Sequence, residues 1–551
     1  MTSPRGSSAV GRPAEASDVS TGQAGHAAAQ AAPAASAGPP PADAQGPGPE
    51  PRRPGLAGFD LGPRWTLWLS AIAGFLIALV GTERPSYWRD EAATLAAVRR
   101  PLGDLVRMLG NVDAVHGAYY LMVWPVEHVL GASPIVMRFP SAVAVGIGAA
   151  LVAATGRRLI SPWAGLAAGL LYAIFPAVSR YGEEARSYAF VMAAAALASY
   201  LLVRLLAAEP SARKRWLIWY GAGIAALGIL NIFGLLLLPA HAITVALVCR
   251  RARRDQAQRR LALGWLIAAV AGVIVASPLL LLGWQQRGQI AWLGVNTSSS
   301  GLNTLFSLTG SYLVTTVTIA VILVALVLGT ERSREQRLAA WPWRLAETCL
   351  PWLVVPPLIL LAASTVQPVY TSRYILICIP AFALVGGAAI ASYGRAAGLL
   401  ALGAVLVAGA PTQLQQRAYD GHYDNIKALD YLVAKYGKPG DHVLYANPNA
   451  ESFGAAYSYG LGTLPNIAQA RAADPSGTLA GTMAPVRTVR NRLGHASRVW
   501  VVEINSFDPE PQLLGLNGLP VSATPIMNEV GLSLTTVWHE HGDYLLLFTR
   551  Q

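Results

Sequence analysis

An adjacent pair of carboxylates, Asp90 and Glu91, opens the most polar stretch of an otherwise apolar chain. Tyr87 and Trp88 stand directly before the pair, and such aromatic side chains anchor at the headgroup level of a membrane. A carboxylate at that depth can take a proton from an acceptor hydroxyl, and desolvation can raise its pKa toward the working range. The alternative is a pair of helix N-terminal carboxylates that are stabilised by the helix dipole, with Arg89 as a partner.

A second group of candidate residues lies in the same stretch and comprises Asp113, His116, Tyr119 and Tyr120. Asp113 and His116 are three residues apart, so they would share one face of a helical turn and could bind a common ligand or a metal ion. Two candidate ligands are weak evidence for a metal site, so we predict no metal and leave a divalent ion as an open alternative. The other interpretation is an interfacial belt of aromatic residues with a hydrogen-bonded histidine.

Four charged residues are packed into the short link between two apolar runs, namely Arg180, Glu183, Glu184 and Arg186. Membrane topology does not require charges in so tight a hairpin. They could pair with one another at helical spacing, which contributes little free energy. The functional interpretation is a polar wall of a cavity that faces Asp90.

Arg373 and Tyr374 open a late apolar run, within the stretch from Gln367 to Tyr374. We expect this helix end to lie outside, where an arginine runs against the usual charge bias. Snorkelling to the interface would explain Arg373, but a guanidinium also forms fork-shaped bonds to phosphate oxygens. Arg138, at the start of the second apolar run, is a weaker candidate of the same kind.

The composition of the 551 residues indicates a membrane protein that crosses the bilayer many times. Only 13% of the residues are charged and the mean hydropathy is +0.41, so there is too little charge for several soluble domains. Apolar runs of membrane length recur from Trp65 to Gly409, and we count eleven. The net charge of +12 comes from arginines that cluster in short loops, as topology signals do, so nucleic-acid binding is not expected.

These patterns predict three regions. Residues 1–58 are rich in Ala, Pro, Gly and Ser and should form a disordered cytoplasmic tail. Residues 59–410 should form the transmembrane domain, with a long loop over 83–134 on the outer side. Since eleven spans separate the two termini, residues 411–551 should be extracytoplasmic. We expect them to form a soluble α/β or α+β domain with strands at His442–Ala446 and Arg498–Ile504 and a terminal hairpin of Leu534–His539 with Tyr544–Thr549.

At these residues the sequence resembles the GT-C superfamily of integral-membrane glycosyltransferases. It is most similar to the family 39-like group of protein O-mannosyltransferases and lipid A aminoarabinose transferases. The resemblance covers about residues 65–410 and is carried by Trp88–Glu91, Asp113–Tyr120, Tyr181–Tyr188 and Ser372–Tyr374.

The resemblance implies a multi-span GT-C-like fold with an acidic first outer loop and a polyprenyl-phosphate-linked sugar donor. Asp90 matches the acidic position that acts as a base or orients the acceptor, and Arg373 matches a basic position suited to the donor phosphate. Many relatives read His-Pro-Pro-Leu-Tyr-Tyr where this chain has the segment from His116 to Tyr120, and many carry Gln in place of Glu183.

The resulting hypothesis is a glycosyltransferase that works at the outer face of the membrane. It would move a sugar, with mannose as the first candidate, from a polyprenyl-phosphate carrier to an envelope glycan, lipid or protein. Such a donor is already activated, so the enzyme needs a base, a phosphate cradle and a cavity poor in water. The alternative is a transporter or flippase of lipid-linked sugars, which would favour inverted repeats and broken helices at the bilayer midplane. A purely structural envelope protein would leave the acidic loop unexplained.

Overall fold

The fold was analysed in a computed structural model of the chain. The structure describes residues 64–550, apart from 252–255, 291–303, 305, 333–340, 367–368, 423, 447, 458, 505–511, 515–519 and 542. The tail predicted over residues 1–58 lies outside the described residues, as do Gln367 and Pro368.

Helices make up most of the described chain. They are α1 (Trp65–Leu79), α2 (Arg89–Val98), α3 (Leu102–Asn111), α4 (Gly117–Leu130), α5 (Pro134–Leu159), α6 (Pro162–Ile174), α7 (Pro176–Gly182), α8 (Tyr188–Leu206), α9 (Arg213–Leu230), α10 (Leu237–Arg251), α11 (Gln256–Gln285), α12 (Tyr312–Arg332), α13 (Trp341–Ser364), α14 (Ile379–Ser392), α15 (Arg395–Gln416), α16 (Ile426–Tyr436), α17 (Phe453–Ala456), α18 (Ala473–Ser476), α19 (Val486–His495) and α20 (Ala523–Glu529). Short 3₁₀ segments include Ala114–His116, Ile232–Leu236 and Ser372–Cys378.

Seven helical segments of the described residues are long and apolar enough to cross a membrane. They are Pro134–Leu159, Tyr188–Leu206, Ile232–Arg251, Gln256–Gln285, Arg344–Ser364, Ser372–Ser392 and Arg395–Gln416. The bent pair α6 and α7 makes an eighth if it is one span. The apolar helices Trp65–Leu79 and Tyr312–Leu328 are shorter. The structure therefore shows a multi-span helical protein, while the count of eleven spans stays a prediction.

Proline residues explain where several of these helices begin. Pro134, Pro162 and Pro176 occupy the first positions of α5, α6 and α7, where the missing N–H costs nothing. Phe175 precedes Pro176 and is extended, since a residue before proline avoids the helical region. The axes of α6 and α7 consequently differ by 62°.

Small residues let the helices of the bundle pack closely. A side-chain carbon added at Gly169 of α6 would lie 2.4 Å from the hydroxyl oxygen of Ser70 in α1. One added at Gly165 would lie 2.4 Å from the carbonyl oxygen of Ala153 in α5. Close approach of backbones at glycine is typical of helix pairs in membranes. The helix also breaks at Asn231, because α9 ends at Leu230 and the Asn231 side chain accepts a hydrogen bond from the backbone N–H of Phe233.

The C-terminal residues form a small mixed sheet, as predicted. The strands are β1 (His442–Tyr445), β2 (Gln469–Arg471), β3 (Thr482–Met483), β4 (Arg498–Ile504), β5 (Gln512–Leu514), β6 (Pro520–Ser522), β7 (Leu532–Glu540) and β8 (Asp543–Arg550). The main sheet has the order β1-β4-β8-β7. Strand β1 runs parallel to β4, and β8 is antiparallel to both β4 and β7. The predicted terminal hairpin is therefore confirmed.

The long loop (residues 83–134) and the C-terminal region share one apolar core. Leu95 of α2 and Leu105 of α3 are buried in the same cluster as Leu429 of α16, Trp500 of β4 and Leu545 of β8. A second cluster, formed by C-terminal residues alone, lies on the other face of the sheet, where Val499, Val501 and Phe548 alternate with the first set. The long loop is therefore fixed between the helix bundle and the sheet.

Candidate active site

Asp90 lies in the first turn of α2 and contacts two arginines that are distant in sequence. Its Oδ2 accepts a hydrogen bond from Nη1 of Arg373 at 2.5 Å, and Nη2 of Arg186 lies 3.8 Å from the same oxygen. The Asp90 side chain is 19% exposed. Burial alone would raise its pKa, but Arg186 and Arg373 hold the pKa of Asp90 below its usual value. The carboxylate is therefore ionised near neutral pH.

Aromatic rings hold the guanidinium of Arg373 beside Asp90. The guanidinium carbon lies 4.9 Å from the ring centre of Trp88 and 5.7 Å from that of Tyr188. Nη1 also donates to the Tyr188 hydroxyl at 3.3 Å. Among the described residues, the other two nitrogens of Arg373 have no hydrogen-bond partner. The side chain is 27% exposed, so a cation with unused donors faces a partly open site.

Members of the second and third predicted groups join the same cluster. Arg186 donates through Nη1 to the Tyr120 hydroxyl at 2.7 Å, and that hydroxyl donates to Oδ2 of Asp113 at 2.5 Å. Asp113 adopts a left-handed backbone conformation (φ 60°), which aspartate tolerates better than most residues. A chain of contacts thus runs from Asp113 through Tyr120 and Arg186 to Asp90.

His116 lies at the edge of this chain, with Nε2 at 3.9 Å from Oδ1 of Asp113. Burial, and next the charge of Arg186, lower the pKa of His116 to about 4, so its ring is neutral at pH 7. The described residues contain no group of three or more His, Cys, Asp and Glu side chains that could hold a metal ion. Asp113 and His116 therefore gain no third candidate metal ligand among the described residues.

Glu91 points away from this cluster and forms a buried ion pair with Arg138. Its two oxygens accept from Nε and Nη2 of Arg138 at 2.8 and 2.6 Å, and Oε1 also accepts from the backbone N–H of Ala185. The remaining donors of Arg138 bind the carbonyl oxygens of Thr82, Pro85 and Ser86. Burial would raise the pKa of Glu91, but Arg138 holds it well below its usual range.

This geometry places the side chains of Glu91 and Arg138 in the interior, away from the partly exposed Asp90 cluster. Both side chains are fully buried, and all five donors of Arg138 are used within the protein. Successive residues of a helix project about 100° apart, so only one of Asp90 and Glu91 can face the open side. The sequence had grouped Glu91 with the catalytic residues and Arg138 with the substrate-binding ones, and the structure brings neither to the Asp90 cluster.

Glu183 and Glu184 are also buried, each near an arginine. Oε1 of Glu183 lies 2.5 Å from Nη2 of Arg417, and Oε1 of Glu184 lies 3.8 Å from Nη1 of Arg180. Burial outweighs these cations and raises the pKa of each carboxyl group to about 7. The guanidinium carbon of Arg180 lies 5.4 Å from the ring centre of Trp88. Of the four charges in this link, Arg186 alone contacts Asp90 directly within the described residues.

The two remaining predicted residues pack against aromatic rings. Tyr119 is buried in the core of the long loop, with its ring 5.9 Å from Phe190. Tyr374 stacks on Phe233 at 3.7 Å between ring centres. Tyr374 therefore fixes the 3₁₀ segment that carries Arg373, and Tyr119 contributes to packing.

Sequence reasoning missed a set of polar residues just after α15. His422 is buried with Nδ1 3.7 Å from Oε2 of Glu91, Arg417 pairs with Glu183, and Asp424 binds Arg89 at 2.9 Å. The density of charged residues from Arg417 to Asp424, directly after an apolar run, was the available signal. Their partners lie in the long loop and the link before α8, which no local pattern reveals.

Comparisons with known proteins agree with this architecture. Residues 117–284 match the family described as dolichyl-phosphate-mannose-protein mannosyltransferase. That range includes Tyr120 and Arg186 but neither Asp90 nor Arg373. Among curated proteins, none matches this sequence.

Solved structures provide the similarity in fold. The apo form of ArnT from Cupriavidus metallidurans superposes with a TM-score of 0.55 at 12% identity, covering 88% of this chain and 97% of that one. The structure of the same protein bound to undecaprenyl phosphate gives a TM-score of 0.52 at 12% identity, covering 88% and 98%.

The chain therefore shares the fold of ArnT. The family match and the similarity to ArnT agree with the resemblance that the sequence motifs indicate.

Proposed function

We propose that this protein transfers a sugar from a polyprenyl-phosphate carrier to an acceptor of the cell envelope. The observation that carries the proposal is the contact between Asp90 and Arg373, a carboxylate and a cation with unused donors in one partly exposed cluster. The structure of ArnT with undecaprenyl phosphate supports a carrier of this kind. The name of the matching family makes mannose the first sugar to test.

The geometry suggests how the donor would prepare the base. The phosphate of the donor would bind the guanidinium of Arg373, which offers it two parallel hydrogen bonds. Arg373 would then share its charge between phosphate and Asp90, and the nearby phosphate would add negative charge. Both changes raise the pKa of Asp90 from its low value in the free protein, so the carboxylate becomes a stronger base once the donor is in place.

The transfer itself is a single displacement. Asp90 takes the proton of the acceptor hydroxyl while that oxygen forms a bond to the anomeric carbon of the sugar. The bond between the anomeric carbon and the phosphate oxygen breaks, and the carrier leaves as polyprenyl phosphate. Arg373 and Arg186 stabilise the charge that develops on the phosphate. Tyr120 and Asp113 hold Arg186 in position.

The site would lie on the outer face of the membrane, with the amino terminus in the cytoplasm. The loops at the opposite ends of the helices are rich in arginine, as is typical of cytoplasmic loops, and this pattern supports the orientation. A reporter enzyme fused after Gln551 should be active only outside the cytoplasm, and activity inside would reverse the proposed sidedness. Transport of lipid-linked sugars, the alternative, is not favoured, because the matching family is one of mannosyltransferases.

The direct test is carrier release by the purified full-length protein from a panel of polyprenyl-phosphate sugars that includes mannose. We expect one donor to release polyprenyl phosphate when an acceptor is present. Asp90→Asn should lower turnover by about 10²–10⁴-fold, the usual contribution of a general base, while donor binding survives. Transfer by Asp90→Asn at the rate of the unmodified protein would exclude Asp90 as the base.

A further inference from the structure

A cavity of about 380 Å³ adjoins the Asp90 cluster on the side of α7 and α15. We call it the α7–α15 cavity. Arg180 and Tyr181 of α7 form one wall, and Thr412 and Gln416 of α15 form another. Its size falls within the range of about 300–1,000 Å³ that is typical of small-molecule sites.

Trp88 contacts one arginine of the cavity wall and one arginine of the candidate active site. The indole ring of Trp88 has the guanidinium of Arg180 at 5.4 Å and that of Arg373 at 4.9 Å. Ser372, the neighbour of Arg373, also lines the cavity. A molecule in the cavity would therefore lie beside the residues that we assign to the donor phosphate and to proton transfer.

The side chains of the wall suit a ligand that is rich in hydroxyl groups. Gln415 and Gln416 have amide groups, Thr412 has a hydroxyl and Asp420 has a carboxylate. These groups can donate hydrogen bonds to the hydroxyls of a ligand and accept hydrogen bonds from them. Tyr181 and Phe306 add aromatic faces against which the C–H face of a sugar ring can pack.

One buried atom of the wall lacks a partner. Oε1 of Gln416 is buried and accepts no hydrogen bond from any described residue. The nearby Gln413, in contrast, uses both ends of its amide within the protein, accepting from Ser179 and donating to the carbonyl of Ile174. A buried carbonyl oxygen without a donor is costly, so Gln416 is arranged to receive a hydrogen bond from a ligand.

The rim of the cavity reaches water through the C-terminal region. Asp420 lies 3.4 Å from His541, and their side chains are 29% and 51% exposed. His541 lies between β7 and β8 and has a left-handed backbone (φ 38°), which is usual in a tight hairpin turn. Access from the aqueous side fits an acceptor that arrives from water better than the sugar of a membrane-anchored donor.

We infer that the α7–α15 cavity binds a sugar ring of a carbohydrate acceptor, so that the protein glycosylates a glycan and not a protein. This inference rests on the proposed function and narrows its acceptor class. Gln416 donates to and accepts from the ring hydroxyls, and Asp420 accepts from them. The hydroxyl that reacts loses its proton to Asp90 as its oxygen joins the anomeric carbon, and polyprenyl phosphate leaves.

The test compares two acceptor classes with the full-length protein and the donor that shows carrier release. Methyl glycosides of glucose, galactose, mannose and N-acetylglucosamine form one panel, and a Ser/Thr-containing peptide is the other acceptor. We expect transfer to one or more glycosides and none to the peptide. Gln416→Leu should raise the KM for the glycoside by about 2–10-fold, and Asp420→Asn by about 10–100-fold, while the KM for the donor stays the same.

Asp104→Asn is the matched control, because Asp104 lies in α3 of the long loop and pairs with the exposed Arg107. It should leave both KM values unchanged. Saturation-transfer NMR with the methyl glycosides and no donor provides a readout independent of turnover, and Thr412→Val replaces either variant that does not fold.

The outcomes separate the two proposals. If no donor releases its carrier, the proposed function fails and this inference fails with it. If carrier release occurs but the peptide is the acceptor, or the cavity variants leave the KM for the glycoside unchanged, the inference alone is wrong. An increase confined to the KM for the donor would overturn it as well, because the cavity would then hold the sugar of the donor.

Discussion

Asp424 caps the helix that carries Asp90, although 335 residues separate it from Arg89, the first residue of that helix. Oδ2 of Asp424 accepts from the backbone N–H of Arg89 at 2.8 Å and from its Nε at 3.2 Å, and Oδ1 accepts from Nη2 at 2.9 Å. Trp88, which precedes the helix, provides no side-chain cap. The C-terminal region therefore satisfies an N–H group that a helix start leaves free, one residue before the proposed base.

Removal of this cap should disturb both stability and catalysis. We expect Asp424→Ala to lower the free energy of unfolding by about 1–3 kcal/mol, because it removes a helix cap and the ion pair that Asp424 forms with the half-buried guanidinium of Arg89. Turnover should also fall, since the first turn of α2 places the carboxylate of Asp90. Chemical denaturation and carrier release measure the two effects. Asp104→Ala, which breaks an exposed pair in the same loop, should change stability by less than about 1 kcal/mol. An equal loss in both variants would contradict the capping role.

Glu91→Gln should act on stability before it acts on chemistry. The change leaves the fully buried Arg138 without its counter-charge, and breaking a buried pair in this way costs about 3–5 kcal/mol. We expect a clear drop in Tm, measured by thermal unfolding in detergent. Asp104→Asn is the control, because it removes the carboxylate of an exposed pair, and it should keep a Tm close to that of the unmodified protein. A normal Tm with abolished transfer in Glu91→Gln would restore Glu91 as a catalytic candidate.

Arg373→Lys should weaken donor use even though it keeps the positive charge. Lysine cannot form two parallel bonds to phosphate, and it stacks less well than a guanidinium on Trp88 and Tyr188. We expect the KM for the donor to rise by about 10-fold, with the loss of one charge-assisted hydrogen bond. Steady-state kinetics with varied donor concentration give the value. Unchanged KM and turnover would remove Arg373 from the donor site.

The pH dependence of stability should reveal the buried state of Glu184. Burial raises the pKa of Glu184 from 4.5 to about 7, so the folded protein binds a proton there that the unfolded chain has lost. The free energy of unfolding should therefore fall as the pH rises from about 4.5 through about 7. Glu184→Gln removes the titrating carboxyl group. The free energy of unfolding of this variant, relative to that of the unmodified protein, should therefore increase as the pH rises across that interval. Denaturation curves of both proteins at about pH 5 and about pH 8 test the sign. A relative loss at the higher pH would show that the Glu184 carboxylate is stabilised by its surroundings.

The predicted order of elements follows from local properties, and the structure retains it. Long apolar runs predict helices, and alternating side chains around a turn predict the terminal hairpin. The strand Arg498–Ile504 was placed correctly for the same reason. Hydropathy alone does not fix the number of spans. The helix α9 begins with three basic residues and α1 has only 15 residues, so neither is among the seven segments that are long and apolar enough to cross a membrane.

The sequence by itself determined that the chain is a multi-span helical protein with Asp90 and Arg373 at helix starts, because apolar length, aromatic flanks and local charge are read along the chain. Only the tertiary structure decided that these two residues, 283 positions apart, share one hydrogen bond. It also decided that Glu91 turns inward to Arg138 and that Asp424 closes the start of α2. The direction in which a helix residue points depends on what the helix packs against, and distant segments provide that surface.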